Sequence, residues 1–371
     1  MNIPMVDLKG QYESLRPEID RAILQALAET RYILGPNVQA FDQEAAQYLG
    51  VNHAISCASG TDALVLGLKA LGLQPGQGVL TSPFTFFASA GAVAWSGAKP
   101  QLCDVEPDTG LLDLEKAREA IDDTTKFLLP VHLYGQLVDV KGFRKLADER
   151  DLVLFEDAAQ AHGAERDGVR AGEIGNAAAF SFYPTKNLGA AGEGGAVLCN
   201  DECVLGALHR LRDHGSTAKY VHDEIGTNSR LQAMQAAVLN VKLPHLDEWN
   251  ARRRKTAAAY DAAFAASDAI QPLAVRPNSI HAYHQYAVRI QGDVPRDRVL
   301  EGLLARKIFA ALHYPSPVHF QRAAADWGYR EGDFPGAEGL AREVLCLPVH
   351  PFLSAADVER VSASVLELAE A

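Results

Sequence analysis

The chain has 371 residues, of which 48% are hydrophobic and 22% charged, and a formal net charge of -12. That length suits one large domain with a smaller companion, and the composition is ordinary for a globular protein. The acidic balance argues against a nucleic-acid partner and against an anionic membrane surface, and no apolar run reaches the roughly 20 residues needed to span a bilayer.

The first ten residues include Asp7 and Lys9 and have no signal-peptide apolar core. The cysteines Cys57, Cys103, Cys199, Cys203 and Cys346 form no CxxC pair. A reduced, cytoplasmic protein without a metal site is the expectation. Within residues 11–30, Ile19, Ile23, Leu24 and Leu27 fall at helical spacing, and a second helix is predicted from Val38 to Gly50. From His53 a strand–helix rhythm sets in. Strands are predicted at His53–Cys57, Val79–Leu80, Leu102–Val105, Phe127–His132 and Leu152–Phe155. Helices are predicted between them at Gly60–Gly72, Phe84–Trp95, Leu112–Ile121 and Val140–Arg150. Such alternation builds βαβ units and a mostly parallel sheet covered on both faces.

Ala177–Phe182 and Ala196–Cys199 follow with no long helix between them, so one of these strands is expected to run antiparallel. Asp201–Arg212, Leu231–Leu243 and the long Leu246–Phe264 read as helices, and Arg252-Arg253-Arg254-Lys255 reads as a solvated helix face. A small α+β unit is predicted beyond, with strands at His284–Ile290 and Val344–Leu347 and helices at Arg296–Arg306 and Ala355–Leu368. The predicted organisation is a large domain over residues 1–243 and a small C-terminal one over 244–371.

Three stretches carry candidate chemistry, each at the carboxyl end of a predicted strand, where ligands sit in open α/β sheets. Ser59-Gly60-Thr61-Asp62 is either an ordinary helix N-cap or a phosphate cradle, since a helix N-terminus offers free N–H groups. In Phe155-Glu156-Asp157-Ala158-Ala159-Gln160-Ala161-His162-Gly163, a carboxylate ends an apolar strand, which is costly unless it is paired. Asp157 is either the partner of a protonated ring nitrogen or a cap or ion-pair residue. Gln160 lies one turn on. Glu156 points the other way and is expected to cap or to face solvent. His162 is either a ligand group or a structural histidine, the second being the favoured reading.

The third stretch is Ser181-Phe182-Tyr183-Pro184-Thr185-Lys186-Asn187-Leu188-Gly189, followed by Gly192-Glu193-Gly194-Gly195. It sets one lysine between apolar runs. Desolvation disfavours the ammonium, and a neutral lysine is a nucleophile for carbonyls. Ser181 is a second phosphate donor. Pro83-Phe84-Thr85-Phe86-Phe87 supplies a ring that could lie against a planar cofactor or belong to the core. A phosphate cradle, an aspartate for a pyridinium, a stacking ring and a lysine together are what pyridoxal 5'-phosphate requires.

With these residues in view, the chain resembles the DegT/DnrJ/EryC1/StrS sugar aminotransferases, which are fold-type I pyridoxal-phosphate enzymes. The likeness also takes in Tyr32-Ile33-Leu34-Gly35-Pro36, His214-Gly215, Asn228-Ser229-Arg230-Leu231 and His284-Gln285-Tyr286. The resemblance implies an α/β fold with a mostly parallel seven-stranded sheet flanked by helices, plus the small α+β domain. It implies that Lys186 forms a Schiff base with the cofactor, that Asp157 pairs with the pyridine nitrogen, and that Gln160 lies near the ring hydroxyl. By the same resemblance Phe86 stacks on the ring, and Gly60, Thr61 and Ser181 hold the phosphate. Asn228 matches a residue that reaches the phosphate from a neighbouring subunit, so a homodimer with shared active sites is expected. Tyr183, Arg230 and His313 match positions near the sugar nucleotide. Glu193 departs from the aspartate more usual in that glycine turn, a change expected to affect turn detail only.

The implied reaction moves an amino group from L-glutamate to a nucleotide-linked keto sugar, at C3 by the closer likeness and at C4 in the alternative. Relatives that remove a sugar hydroxyl carry histidine where this chain has Lys186, which favours transamination over dehydration. Neither G-x-G-x-x-G nor G-x-x-x-x-G-K-[ST] occurs, which argues against a nicotinamide oxidoreductase. A regulatory protein that only binds the cofactor is a further alternative, opposed by the intact Lys186 and Asp157.

Overall fold

The computed structural model describes residues 2–371; Met1, the first residue of the expected large domain, lies outside them. The chain opens with α1 (Leu8–Ser14), α2 (Arg16–Glu29) and α3 (Pro36–Leu49). The helical pattern of residues 11–30 is thus two helices rather than one. The break falls at Leu15, with φ -127°, and Pro17 enters the first turn of α2. Proline lacks the N–H and clashes with a preceding turn, so it starts a helix readily and continues one badly.

The alternation then runs β1 (His53–Cys57), α4 (Gly60–Ala70), β2 (Gly78–Thr81), α5 (Ala88–Trp95), β3 (Lys99–Leu102) and α6 (Leu114–Ala120). It continues with β4 (Thr125–Leu129), α7 (Val140–Arg150), β5 (Val153–Asp157), the short β6 (Glu165–Arg166) and β7 (Val169–Arg170), then β8 (Ala177–Ser181) and β9 (Gly195–Cys199). After these come α8 (Glu202–Leu211), the hairpin β10 (Ser216–Ala218) and β11 (Val221–His222), α9 (Ala233–Lys242) and α10 (Leu246–Phe264). The last part holds β12 (Ile270–Pro272), β13 (Ser279–Ile280), β14 (Tyr286–Ile290), α11 (Arg296–Ala305), α12 (Pro335–Glu343), β15 (Val344–Leu347) and α13 (Ala355–Ala369).

Seven strands form one sheet in the order β1-β9-β8-β5-β4-β2-β3. β9 is antiparallel to both neighbours and the other pairings are parallel. Successive side chains on a strand face opposite ways. Leu154, Ala178, Phe180 and Leu198 accordingly join one buried cluster, and Phe155, Ala179, Val197 and Cys199 the cluster on the other face. A second sheet, β12-β14-β15, packs with α10, α11 and α13 around Tyr260, Phe264, Val288 and Leu345. Ile3 is buried there too, its N–H donating to the Lys307 carbonyl at 2.9 Å.

Two predicted elements are displaced. Residues 84–87 are a turn rather than helix, because Ser82 Oγ takes the Phe84 N–H at 3.0 Å and diverts the backbone. The third strand sits at Lys99–Leu102 instead of Leu102–Val105. Beyond Leu102 the Asp104 carboxylate accepts the N–H groups of Val105, Gly336 and Ala337, so this stretch caps α12 rather than pairing with a strand. The basic run on α10 is not wholly solvated either. Arg253 is buried, and its Nη1 donates to the Val349 carbonyl at 2.9 Å. Among the described residues, no helix is long and apolar enough to cross a membrane.

Candidate active site

The carboxyl ends of β1, β2, β5 and β8 converge on a cavity of 530 Å³. Its lining includes Gly60, Thr61, Phe86, Asp157, Gln160, Ser181, Tyr183, Lys186 and His313. All nine were singled out in the sequence, and the parallel order of the sheet brings them together across 253 residues of chain, from 60 to 313.

Each group is held for a local reason. Ser59 is extended and its hydroxyl accepts the Asp62 N–H at 3.1 Å, which starts α4 at the cavity wall. The Ser59 side chain is therefore an N-cap, while Gly60 and Thr61 carry the free N–H groups of the first turn. A Cβ added at Gly60 would stand 2.6 Å from the Ser181 Cβ. Only glycine lets the helix start and the end of β8 approach so closely. Gln160 is fixed from both sides: its Oε1 accepts the Tyr134 N–H at 2.6 Å, and its Nε2 donates to the Tyr314 hydroxyl at 3.2 Å.

Asp157 is the last residue of β5 and is buried. Its Oδ2 accepts from Ser89 Oγ at 2.7 Å, and its Oδ1 from the Ala159 N–H at 3.2 Å. Burial pushes the carboxyl above its ordinary value; Ser89, Ala159, Lys186 and His132 pull the other way. Lys186 faces the cavity with its amine, and burial lowers its pKa to about 8, opposed by the charge on Asp157. The pair combines an amine partly free near neutral pH with an anchored carboxylate, the combination a carbonyl-condensing site needs.

Asn228 and Arg230 are not brought to this cavity. Asn228 is exposed, and its amide oxygen accepts from Arg230 Nε at 3.0 Å. Arg230 is also tied to Asp213 at 2.7 Å. His162 is buried against the rings of Phe180 and Phe182, at 5.2 and 5.7 Å between centroids, as a structural histidine would be.

Glu156 corrects the expectation of a capping or solvent-facing residue. It is wholly buried, with Oε2 2.7 Å from His132 Nε2 and its two oxygens accepting the N–H groups of Gly172 and Gly175. A strand covered on both faces leaves neither side to solvent. Glu193 lines the cavity as well, so its place is more than turn detail. The sequence reading missed Ser89, Tyr314 and the cavity-facing position of His284 and Gln285. The Tyr314 ring lies 6.1 Å from that of Phe86. Only the quoted His284-Gln285-Tyr286 motif carried a signal for any of these.

The model of the DegT/DnrJ/EryC1/StrS aminotransferase family matches residues 13–366. The chain is 42% identical to the pleiotropic regulatory protein of Geobacillus stearothermophilus over 99% of this chain and 98% of that one. It is 44% identical to the dTDP-3-amino-3,4,6-trideoxy-alpha-D-glucose transaminase of Streptomyces venezuelae over 99% of this chain and 96% of the relative. The X-ray structure of DesV from S. venezuelae, in complex with a ketimine intermediate, superposes with a TM-score of 0.96 at 44% identity, covering 100% of this chain and 99% of that one. The chain belongs to the DegT/DnrJ/EryC1/StrS aminotransferase family.

Proposed function

We propose that the chain is a pyridoxal-phosphate-dependent aminotransferase that passes an amino group from L-glutamate to the C3 carbonyl of a nucleotide-linked keto sugar, in the making of an amino sugar. The observation that carries this reading is the shared cavity of Lys186 and Asp157, with Gly60, Thr61 and Ser181 in the same wall. The residues present fit the cofactor. A close approach that a Cβ would block, at Gly60, brings two N–H groups and a hydroxyl to one spot, suited to a phosphate. Amination at C3 is supported by the 44% identical relative named for a 3-amino sugar.

When bound, the cofactor supplies an aldehyde for an amine and a ring that takes up the electron pair left by a departing proton. Gly60, Thr61 and Ser181 would hold its phosphate, and Phe86 would lie on its face. Asp157 would keep a proton on the ring nitrogen; its hydrogen bonds from Ser89 and Ala159 fix the carboxylate for that. Lys186 would hold the aldehyde carbon at rest. Freed from it, the Lys186 amine would serve as the base that carries the proton off the donor Cα, as a group with a pKa of about 8 can do near neutral pH.

The exposure of Asn228 supports the shared-site homodimer, since that residue does not reach the cavity of its own protomer. Tyr220 and Ile225, 86% and 93% exposed on the same segment, are apolar surface suited to a second copy. The chain is taken to divide before α10, into 1–243 and 244–371. A cytoplasmic location belongs to the same reading, supported by five free cysteines.

The relative named a pleiotropic regulatory protein favours a second, non-enzymatic reading. One experiment separates the two. Purified protein loaded with pyridoxal phosphate is given L-glutamate and a nucleotide-linked 3-keto sugar. The expected result is 2-oxoglutarate and the amino sugar, with both lost in Lys186→Ala. Cofactor uptake without turnover would favour the regulatory reading. Unchanged visible absorbance and turnover in Lys186→Ala would defeat the role given to that lysine.

A further inference from the structure

His284 and Gln285 precede β14 and line the cavity beside Lys186. A line of amides runs back from His284 into the protein. Asn187 Nδ2 donates to Asn250 Oδ1 and to the Ala282 carbonyl, both at 2.8 Å. Asn250 Nδ2 in turn donates to the His162 carbonyl at 2.8 Å, which fixes the orientation of that amide. With its nitrogen engaged by two oxygens, Asn187 presents Oδ1 to His284 Nδ1 at 3.3 Å. A carbonyl oxygen only accepts, so the proton of the neutral ring sits on Nδ1 and Nε2 keeps its lone pair.

The ring is held neutral. Burial, then the charges of Lys186 and Arg253 and the nearby His313 and His162, keep His284 well below the ordinary histidine value. Next to it, the buried Gln285 Oε1 has no hydrogen-bond partner. His284 Nε2 therefore stands at the cavity wall as an acceptor with no hydrogen bond from the protein among the described residues. A sugar brings several hydroxyl donors to such an acceptor; an amino-acid donor brings carboxylates, which it repels, and as its one donor the amine that reacts.

We propose that His284 contacts the sugar substrate, its Nε2 accepting a hydrogen bond from a sugar hydroxyl, with Asn187 and Asn250 as positioning residues that set its tautomer. The inference rests on the keto-sugar reading above. Asn187 directly follows Lys186, so one loop orients both the nucleophile and the acceptor.

Two measurements test it. In cofactor-free protein labelled with ¹⁵N-histidine, long-range ¹H–¹⁵N spectra at pH 7 are expected to show His284 protonated on Nδ1 and bare on Nε2. A proton on Nε2, alone or with Nδ1, overturns the proposal. This measurement uses the unaltered chain and stands whether or not the aminotransferase reading does. In the loaded enzyme, His284→Phe is expected to slow the keto-sugar half-reaction about tenfold more than the glutamate half-reaction, the share of one lost hydrogen bond. His284→Gln, whose amide oxygen can accept, is expected to recover part of that difference. Equal losses in the two half-reactions, or no loss, overturn the proposal. Should the parent enzyme fail with glutamate alone, the aminotransferase reading falls and the tautomer result does not.

Discussion

Ser89, in the first turn of α5, donates its hydroxyl to Oδ2 of Asp157, at the end of β5, across 2.7 Å. The bond aims the carboxylate and offsets part of the burial that raises its pKa. Ser89→Ala is expected to lower kcat/KM about 3- to 10-fold, and Asp157→Asn about 100-fold or more, since the second removes the charge itself. Asp157 also sets a stability trend. Its folded pKa lies above the unfolded value, so its contribution is full at low pH and is lost as pH rises through the folded pKa. Cofactor-free Asp157→Asn should therefore melt higher than the parent at pH 8, with the gap closing on acidification.

Lys186 titrates near 8 instead of 10.5 because burial disfavours its ammonium. The free amine is the reactive form, so its fraction grows as pH rises through that value. Loading of cofactor-free protein, followed by stopped-flow absorbance, should accelerate up to about pH 8–9 and then level off. Asp157→Asn removes the charge that holds the lysine pKa up, and should move the midpoint to lower pH. A rate still climbing toward pH 10.5 would mean that the amine is solvated.

The contact between Gly60 and Ser181 predicts a cofactor-affinity phenotype. The Cβ of Gly60→Ala would meet Ser181 Cβ at 2.6 Å and its Oγ at 2.9 Å. One of the two backbones must yield, and the N–H and hydroxyl donors separate. Affinity for pyridoxal phosphate, by fluorescence titration, should fall about tenfold or more, the worth of one charge-assisted hydrogen bond.

The pair His132–Glu156 predicts a stability phenotype instead. Both side chains are wholly buried, 2.7 Å apart, and Glu156 also accepts from Gly172 and Gly175. Removing either partner leaves uncompensated polar groups inside the protein. Glu156→Ala and His132→Ala should each lower unfolding stability in urea by about 3 kcal/mol, and the double variant by less than the sum.

Asn228 and Lys186 together test the shared site. If Asn228 serves the partner's phosphate, Asn228→Ala and Lys186→Ala each disable both sites of their own homodimer. Co-expression should then restore turnover, because one site of each mixed dimer carries neither change. No recovery in purified mixed dimers would assign Asn228 to its own protomer.

Local chemistry was readable along the chain because it is local. Short continuous apolar runs alternating with helical stretches imply a covered parallel sheet, and all of the predicted strands of that sheet exist, with β3 shifted. Lys186, Ser181, Gly60 and Asp157 stood out because each lies within a few residues of a strand end. What the linear order could not determine is which strand ends become neighbours. Ser89 meets Asp157 across 68 positions, His284 meets Asn187 across 97, and Tyr314 meets Gln160 across 154. Those meetings follow from the strand order β1-β9-β8-β5-β4-β2-β3 and from the return of the C-terminal segment over the sheet. The burial of Glu156 follows from a sheet covered on both faces, but its partners, His132 and the N–H groups of Gly172 and Gly175, are neighbours that only the packed layers bring to it.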